Sequence, residues 1–220
     1  RMAELFEKIG KNGKDVFAVT GGIDPEYLRE PPEFEGHFDP HVWMDVSAWM
    51  HGVDFVATSM GKIDPRNAEM YLANALEYNK SLQELDAYAR ESIGSIPSEQ
   101  RILVTAHDAF GYFAQAYRIE VRSVQGLSTE SEAAVQDINN LVDLIVDRKI
   151  SAIFIESSVS EKNIEAIIEG ANARGWAVKI GGVLFSDAMG EPGTYEGTYI
   201  GMIDHITIRL PILKRKLRRV

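Results

Sequence analysis

Tyr71, Ala75, Tyr78, Leu82, Leu85 and Ala89 recur at alternating spacings of four and three, which lays one apolar stripe along a helix. The segment opens at Asp64-Pro65, where proline suits a helix start, and closes near Ile93, with Pro97 beyond its end. At 1.5 Å per residue it spans about 40 Å, long for a helix serving one small lobe and long enough to bridge two. Before it, Asp15-Val16-Phe17-Ala18-Val19 reads as a short buried strand. A loop follows from Gly21 to Pro40, in which Asp24-Pro25, Pro31-Pro32 and Asp39-Pro40 keep the backbone out of helix.

After Pro97 strand-length runs alternate with helical faces. Arg101 to Ala106 is a strand, and Phe110, Phe113, Ala114 and Tyr117 give a helical face. Val121 to Val124 is a second strand; Thr129 and Glu132 fit a capping box ahead of Ile138, Leu141, Val142 and Ile145. Ser151 to Ile155 is a third strand, followed by a helix with Ile164, Ile167, Ile168 and Ala171. Ala177 to Phe185 is a fourth, carrying Gly181-Gly182, and a Gly/Pro loop leads into a last helix that Pro211 stops. This order belongs to the α/β class, with a parallel sheet covered by helices on both faces.

The composition narrows the chemistry. A net charge of −10 argues against a nucleic-acid partner. No apolar run reaches the ~18 residues of a membrane helix, and the opening Arg1-Met2-Ala3-Glu4 enters a helix-like pattern with no secretory leader. With no cysteine in the chain, a transition-metal site must be built from His, Asp and Glu, and the five histidines are His37, His41, His51, His107 and His205.

His107, Glu156 and Asp187 each follow the end of a strand, the rim where open α/β sheets place ligands. His41 stands in Asp39-Pro40-His41-Val42-Trp43-Met44-Asp45, where its neighbours can fix the imidazole. Each has a plainer reading. A histidine at a strand end can be a structural hydrogen-bonder, Glu156 can anchor the next helix, and Asp187 can shape a turn. Trp43 and Trp49 read as packing residues, and His37, His51 and His205 have no comparable context. From spacing alone the metal site and the structural alternative stand even.

Several longer motifs, in order, resemble the metal-specific solute-binding proteins of ABC transporters, the TroA-like family. They are Asp39 to Asp45 (DPHVWMD), Val104 to Phe113 (VTAHDAFGYF), Val124 to Thr129 (VQGLST), Phe154 to Val159 (FIESSV) and Gly181 to Gly190 (GGVLFSDAMG). The resemblance implies two parallel-sheet α/β lobes joined by one long backbone helix. Residues 1–63 would be the remainder of the first lobe, 64–95 the linking helix and 96–220 the second lobe. It implies that His41, His107 and Asp187 bind the metal, zinc or manganese, with Glu156 beside the site rather than a ligand. The family has a further segment at the amino end with one more His ligand, so the first lobe is expected to be incomplete here.

The implied function is capture of the ion outside the cytoplasm and delivery to an ABC permease. The protein would be a periplasmic or lipid-anchored monomer and not an enzyme. The competing reading is a mononuclear metallohydrolase on the same three residues, with Glu156 as general base.

Overall fold

The computed structural model describes residues 2–32, 36–127, 134–158 and 160–214. The Thr129 and Glu132 capping box lies outside the described residues. Helix α1 (Met2–Lys11) leads through short 3₁₀ turns to α2 (Val46–Ile63) and α3 (Ala68–Gly94). Strands β1 (Ile102–Thr105), β2 (Glu120–Ser123), β3 (Ala152–Glu156) and β4 (Lys179–Leu184) then alternate with α4 (Gly111–Tyr117), α5 (Val135–Asp147), α6 (Lys162–Ala173) and α7 (Tyr199–Arg209). No helix among the described residues is long and apolar enough to cross a membrane.

Asp45 starts α2. Its carboxylate accepts the backbone N–H groups of Ser47 and Ala48, two of the donors that a helix N-terminus leaves unpaired, and also the Tyr27 hydroxyl. The turn into α3 is held by Asp64, which accepts from the Asn67 side chain and the Tyr71 hydroxyl. The 27 residues of α3 correspond to about 40 Å of helix, and its buried positions include Ala75, Leu82, Leu85, Ala89 and Ile93. Asn79 interrupts this apolar stripe. It is buried because its amide donates to Asp54 of α2 at 2.8 Å.

Residues 15–19 do not form the expected strand. Val16, Phe17 and Val19 are exposed, and the 3₁₀ turn Val19–Gly22 begins at the end of the run. Among the described residues no strand lies beside this segment to accept its ladder hydrogen bonds. It rests on α2 instead: the Phe17 and Phe55 rings meet edge to face at 6.3 Å. Gly22 packs so closely that a Cβ there would lie 2.6 Å from Phe55 Cβ and 2.7 Å from the His51 carbonyl oxygen.

The strands pair as two parallel ribbons, β1 with β2 and β3 with β4, with β1 lying beside β3. Side chains alternate between two faces. Leu103, Phe154 and Leu184 pack with α3, α4 and α7, whereas Ile102, Val104, Ile153 and Ile155 pack with α5 and α6. Helices thus cover both faces, as β–α alternation requires. The β3–β4 register slips between Ile153 and Phe154, leaving Gly181 as the extra residue of a bulge. The Phe154 ring fills the space beneath it, where a Cβ on Gly181 would come within 2.7 Å. Gly182 has φ +143°, a conformation that favours glycine.

The loop between β4 and α7 folds on itself through Gly190 N–H to the Glu196 carbonyl and the Thr198 hydroxyl to the Tyr195 carbonyl. Gly201 lets α7 close on this loop, since a Cβ there would sit 1.8 Å from the Tyr195 oxygen. The clash is with backbone, so Gly201→Ala is expected to cost about 1–3 kcal/mol through forced displacement. A urea unfolding midpoint that matched the parent protein would show that α7 does not hold the loop in place.

Candidate metal centre

Three of the four side chains singled out from sequence converge directly. A ring nitrogen of His41, one of His107 and a carboxylate oxygen of Asp187 all lie within 4.8 Å of one another. His41 Nε2 is 3.2 Å from Asp187 Oδ1, and His107 Nε2 is 3.4 Å from Asp187 Oδ2. The two imidazole rings meet edge to face with centroids 5.6 Å apart. Both histidines are buried, whereas the Asp187 side chain is 35% exposed and forms the solvent side of the cluster.

Each imidazole is held from behind by a carboxylate of its own. His41 Nδ1 lies 2.8 Å from Asp39 Oδ1, an oxygen that also accepts the His41 backbone N–H at 2.9 Å. His107 Nδ1 lies 2.6 Å from Glu156 Oε2. The other oxygen, Glu156 Oε1, accepts the backbone N–H groups of Ala106 and His107, both at 2.9 Å. Glu156 therefore ties the end of β1 to the end of β3 and does not anchor α6, which begins with Glu161 at its N-cap. In metal sites an imidazole commonly has its second nitrogen turned toward a carboxylate in this way, which fixes the ring and raises its basicity.

The electrostatics of the cluster follow from these contacts. Burial opposes a charge on His41, but hydrogen bonds to Asp187 and Asp39 outweigh it and push the group up to about 8. Burial likewise opposes a charge on His107, and the neighbouring Asp187 and Glu156 carboxylates overcome it, raising the group to about 9. Asp187, facing His107 and then His41, is held well below the usual carboxylate range. The His107 nitrogens lie within ion-pair distance of carboxylates, yet neither is aligned for a hydrogen bond, and both are buried. A buried nitrogen without an aligned partner is costly, and a cation between His41 Nε2, His107 Nε2 and Asp187 would satisfy His107 Nε2, leaving Nδ1 to Glu156.

The remaining sequence readings sort by contact. Trp43, read as a packing residue, donates its indole N–H to the Ser186 carbonyl at 3.0 Å and packs edge to face on His41. It thereby steadies the residue next to Asp187. Trp49 stacks on Tyr199 at 5.5 Å. His205 contacts the Val183 carbonyl at 2.9 Å and the Phe185 ring, away from the cluster. His37 and His51 are exposed and outside it. Arg29 and Tyr112, which hold the loop before His41, were not singled out from sequence: Tyr112 stands inside the motif from Val104 to Phe113, but its hydroxyl meets main-chain groups of Arg29 and Asp39 more than 70 positions away, and Arg29 reaches the Asp39 carboxylate across the loop.

A long helix leading into a doubly covered parallel sheet, with two imidazoles and a carboxylate meeting at the strand ends, marks the class of metal-ion solute-binding proteins. The chain belongs to one family of that class: residues 1–210 match the family described as ZnuA, zinc-uptake complex component A, periplasmic. It is 47% identical over 206 residues to the manganese-binding lipoprotein MntA of Bacillus subtilis, covering 93% of this chain and 66% of that protein. It is 48% identical over 205 residues to the zinc-binding protein TroA of Treponema pallidum, again covering 93% and 66%. The solved structure of the periplasmic zinc-binding protein TroA from Treponema pallidum superposes with a TM-score of 0.91 at 45% identity, covering 97% of this chain and 76% of that one. The chain thus spans about two thirds of the length of these curated relatives.

Proposed function

We propose that the protein captures a divalent transition-metal ion through His41, His107 and Asp187, outside the cytoplasm, and delivers it to an ABC importer. The observation that carries this reading is the convergence of two buried Nε2 atoms on one half-exposed carboxylate, each imidazole backed by its own buried acid. That arrangement aims two Nε2 atoms and a carboxylate oxygen at a single point, where the metal takes the place of the imidazole protons. All three groups come from one chain, which suits a monomer. Residues 1–63 and 96–220 supply the two sides of the site, and the helix within 64–95 is the strut between them. Release then means moving the Asp187 loop and the His41 loop apart, a rearrangement with no chemical step. The relatives' names, a periplasmic component and a lipoprotein, support the extracytoplasmic location.

Zinc and manganese both suit the donor set. Imidazoles favour zinc, a carboxylate is compatible with manganese, and on common ligands zinc binds tighter. Near-equal identity to a manganese-binding and a zinc-binding relative leaves the choice with solution measurement. The metallohydrolase alternative loses its general base. Glu156 is buried, with one oxygen accepting two backbone N–H groups and the other against His107, so it faces no water or substrate.

Calorimetric titration of zinc and manganese into the parent protein and Asp187→Ala tests the assignment. The variant is expected to bind about a hundredfold more weakly, ~3 kcal/mol, while keeping its fold, because Asp187 lies on the exposed side of the cluster. Equal affinity in the two proteins would remove Asp187 from the ligand set.

A further inference from the structure

Two side chains that touch no metal-facing atom fasten the loop that leads to His41. The loop that delivers His41 leaves the preceding turn at Arg29 and returns at Asp39, and three hydrogen bonds tie its ends together. The Asp39 N–H donates to the Arg29 carbonyl at 2.8 Å. The Tyr112 hydroxyl accepts the Arg29 N–H at 2.9 Å and donates to the Asp39 carbonyl at 3.2 Å. Tyr112 is completely buried and belongs to α4, which begins at Gly111 shortly after the ligand candidate His107. The neck of the His41 loop is therefore fastened to the same structural unit that presents His107.

Arg29 adds a second tie. Its Nε lies 3.5 Å from Asp39 Oδ2, the oxygen opposite the one that holds His41. The guanidinium lies over the Tyr112 ring, 5.9 Å from its centre, and fits there because Gly111 has no side chain. A Cβ at that position would lie 2.8 Å from Arg29 Nε. Asp39 is thus fixed by main chain on one side and by a cation on the other before its Oδ1 meets the imidazole.

We propose that Tyr112 and Arg29 are positioning residues that set His41 against His107 and hold the two imidazoles at the separation a single metal ion needs. The inference rests on the metal-capture reading above. A hydroxyl used only for folding would affect stability and leave the folded protein's affinity and coordination geometry alone. A hydroxyl that fixes the spacing of two ligands would change both.

The test uses the full chain and Tyr112→Phe, which removes one oxygen and keeps the ring. Zinc affinity is measured by competition with a chelator, and coordination is followed through the visible absorption of bound cobalt(II). Tyr112→Phe is expected to weaken zinc binding about tenfold, at the low end of what loss of a ligand-orienting contact costs, and to alter the cobalt spectrum. Arg29→Met keeps the main-chain neck and loses the cation, and it is expected to move both readouts in the same direction. Should Tyr112→Phe fold too poorly to measure, the outcome for Arg29→Met decides. Parent-like affinity and an unchanged cobalt spectrum in the measurable variants overturn the proposal. His107→Ala runs alongside: if it too binds like the parent, the metal site itself is misassigned and the positioning role falls with it.

Discussion

His107→Ala is expected to weaken zinc binding about a thousandfold, roughly 4 kcal/mol, the largest effect of any single substitution in the site. The residue is completely buried, and its Nε2 faces the point shared with His41 and Asp187. Truncation removes one nitrogen donor and opens a void that water can enter. It also strips Glu156 Oε2 of the imidazole 2.6 Å away, its one cationic partner among the described residues, inside the protein. Glu156 keeps two backbone donors on its other oxygen, so the added loss of stability should stay near 1–3 kcal/mol rather than the larger cost of a wholly unpaired buried charge. Competition against a chromophoric chelator reads the affinity, and thermal unfolding of the metal-free variant shows that the fold persists. A folded variant binding within a few-fold of the parent would exclude His107 as a ligand.

Metal affinity should fall steeply as the solution is acidified. In the metal-free protein the facing carboxylates, against the opposing pull of burial, push His41 up to about 8 and His107 up to about 9. A metal can take either nitrogen only after its proton has left. Below about pH 8 each unit of acidification then costs up to about a hundredfold in apparent affinity, because two protons compete with one ion. Between pH 7 and pH 5 the loss can reach about ten-thousandfold, and binding at pH 7 should release up to two protons, measurable by titration in buffers of different ionisation enthalpy. An affinity flat across this range would mean that the imidazoles are already neutral.

Stability of the metal-free protein should run the other way. The histidines have raised values in the folded state, so their contribution is complete below the unfolded value near 6.5 and is lost as pH climbs through about 8 and about 9. Asp187 is depressed, so its contribution is present above its unfolded value near 3.8 and fades only as acid protonates it in the folded state. Between those limits the charged imidazoles and the carboxylate hold the cluster together without metal. The rise in melting temperature produced by zinc should therefore grow from pH 6 to pH 8.

Periodicity carried much of the fold because it reports a local property. The stripe from Ala75 through Leu82 to Ala89 is the buried face of α3, and the apolar runs after Pro97 became β1 to β4 within a residue or two at most ends. The same logic failed for residues 15–19, because an apolar run becomes a strand only when another strand lies beside it, and here Phe55 of α2 takes its place. Local motif chemistry likewise placed His41, His107 and Asp187 at loop and strand ends suited to ligands.

What the amino-acid order determined was thus which face of each regular helix and strand is buried, where helices start and stop, and which donor types are available for a metal without cysteine. Tertiary structure alone decided that His41 and Asp187, separated by 146 positions, stand 3.2 Å apart, and that Asp39 and Glu156 back the two imidazoles. It also decided that Tyr112, 73 positions from Asp39, closes the neck of the His41 loop. The physical reason is that spacing along a chain constrains neighbours within a few turns, whereas contacts across a site depend on how whole helices and strands pack. That packing is set by the summed burial of the two apolar clusters flanking the sheet, a property no single motif contains.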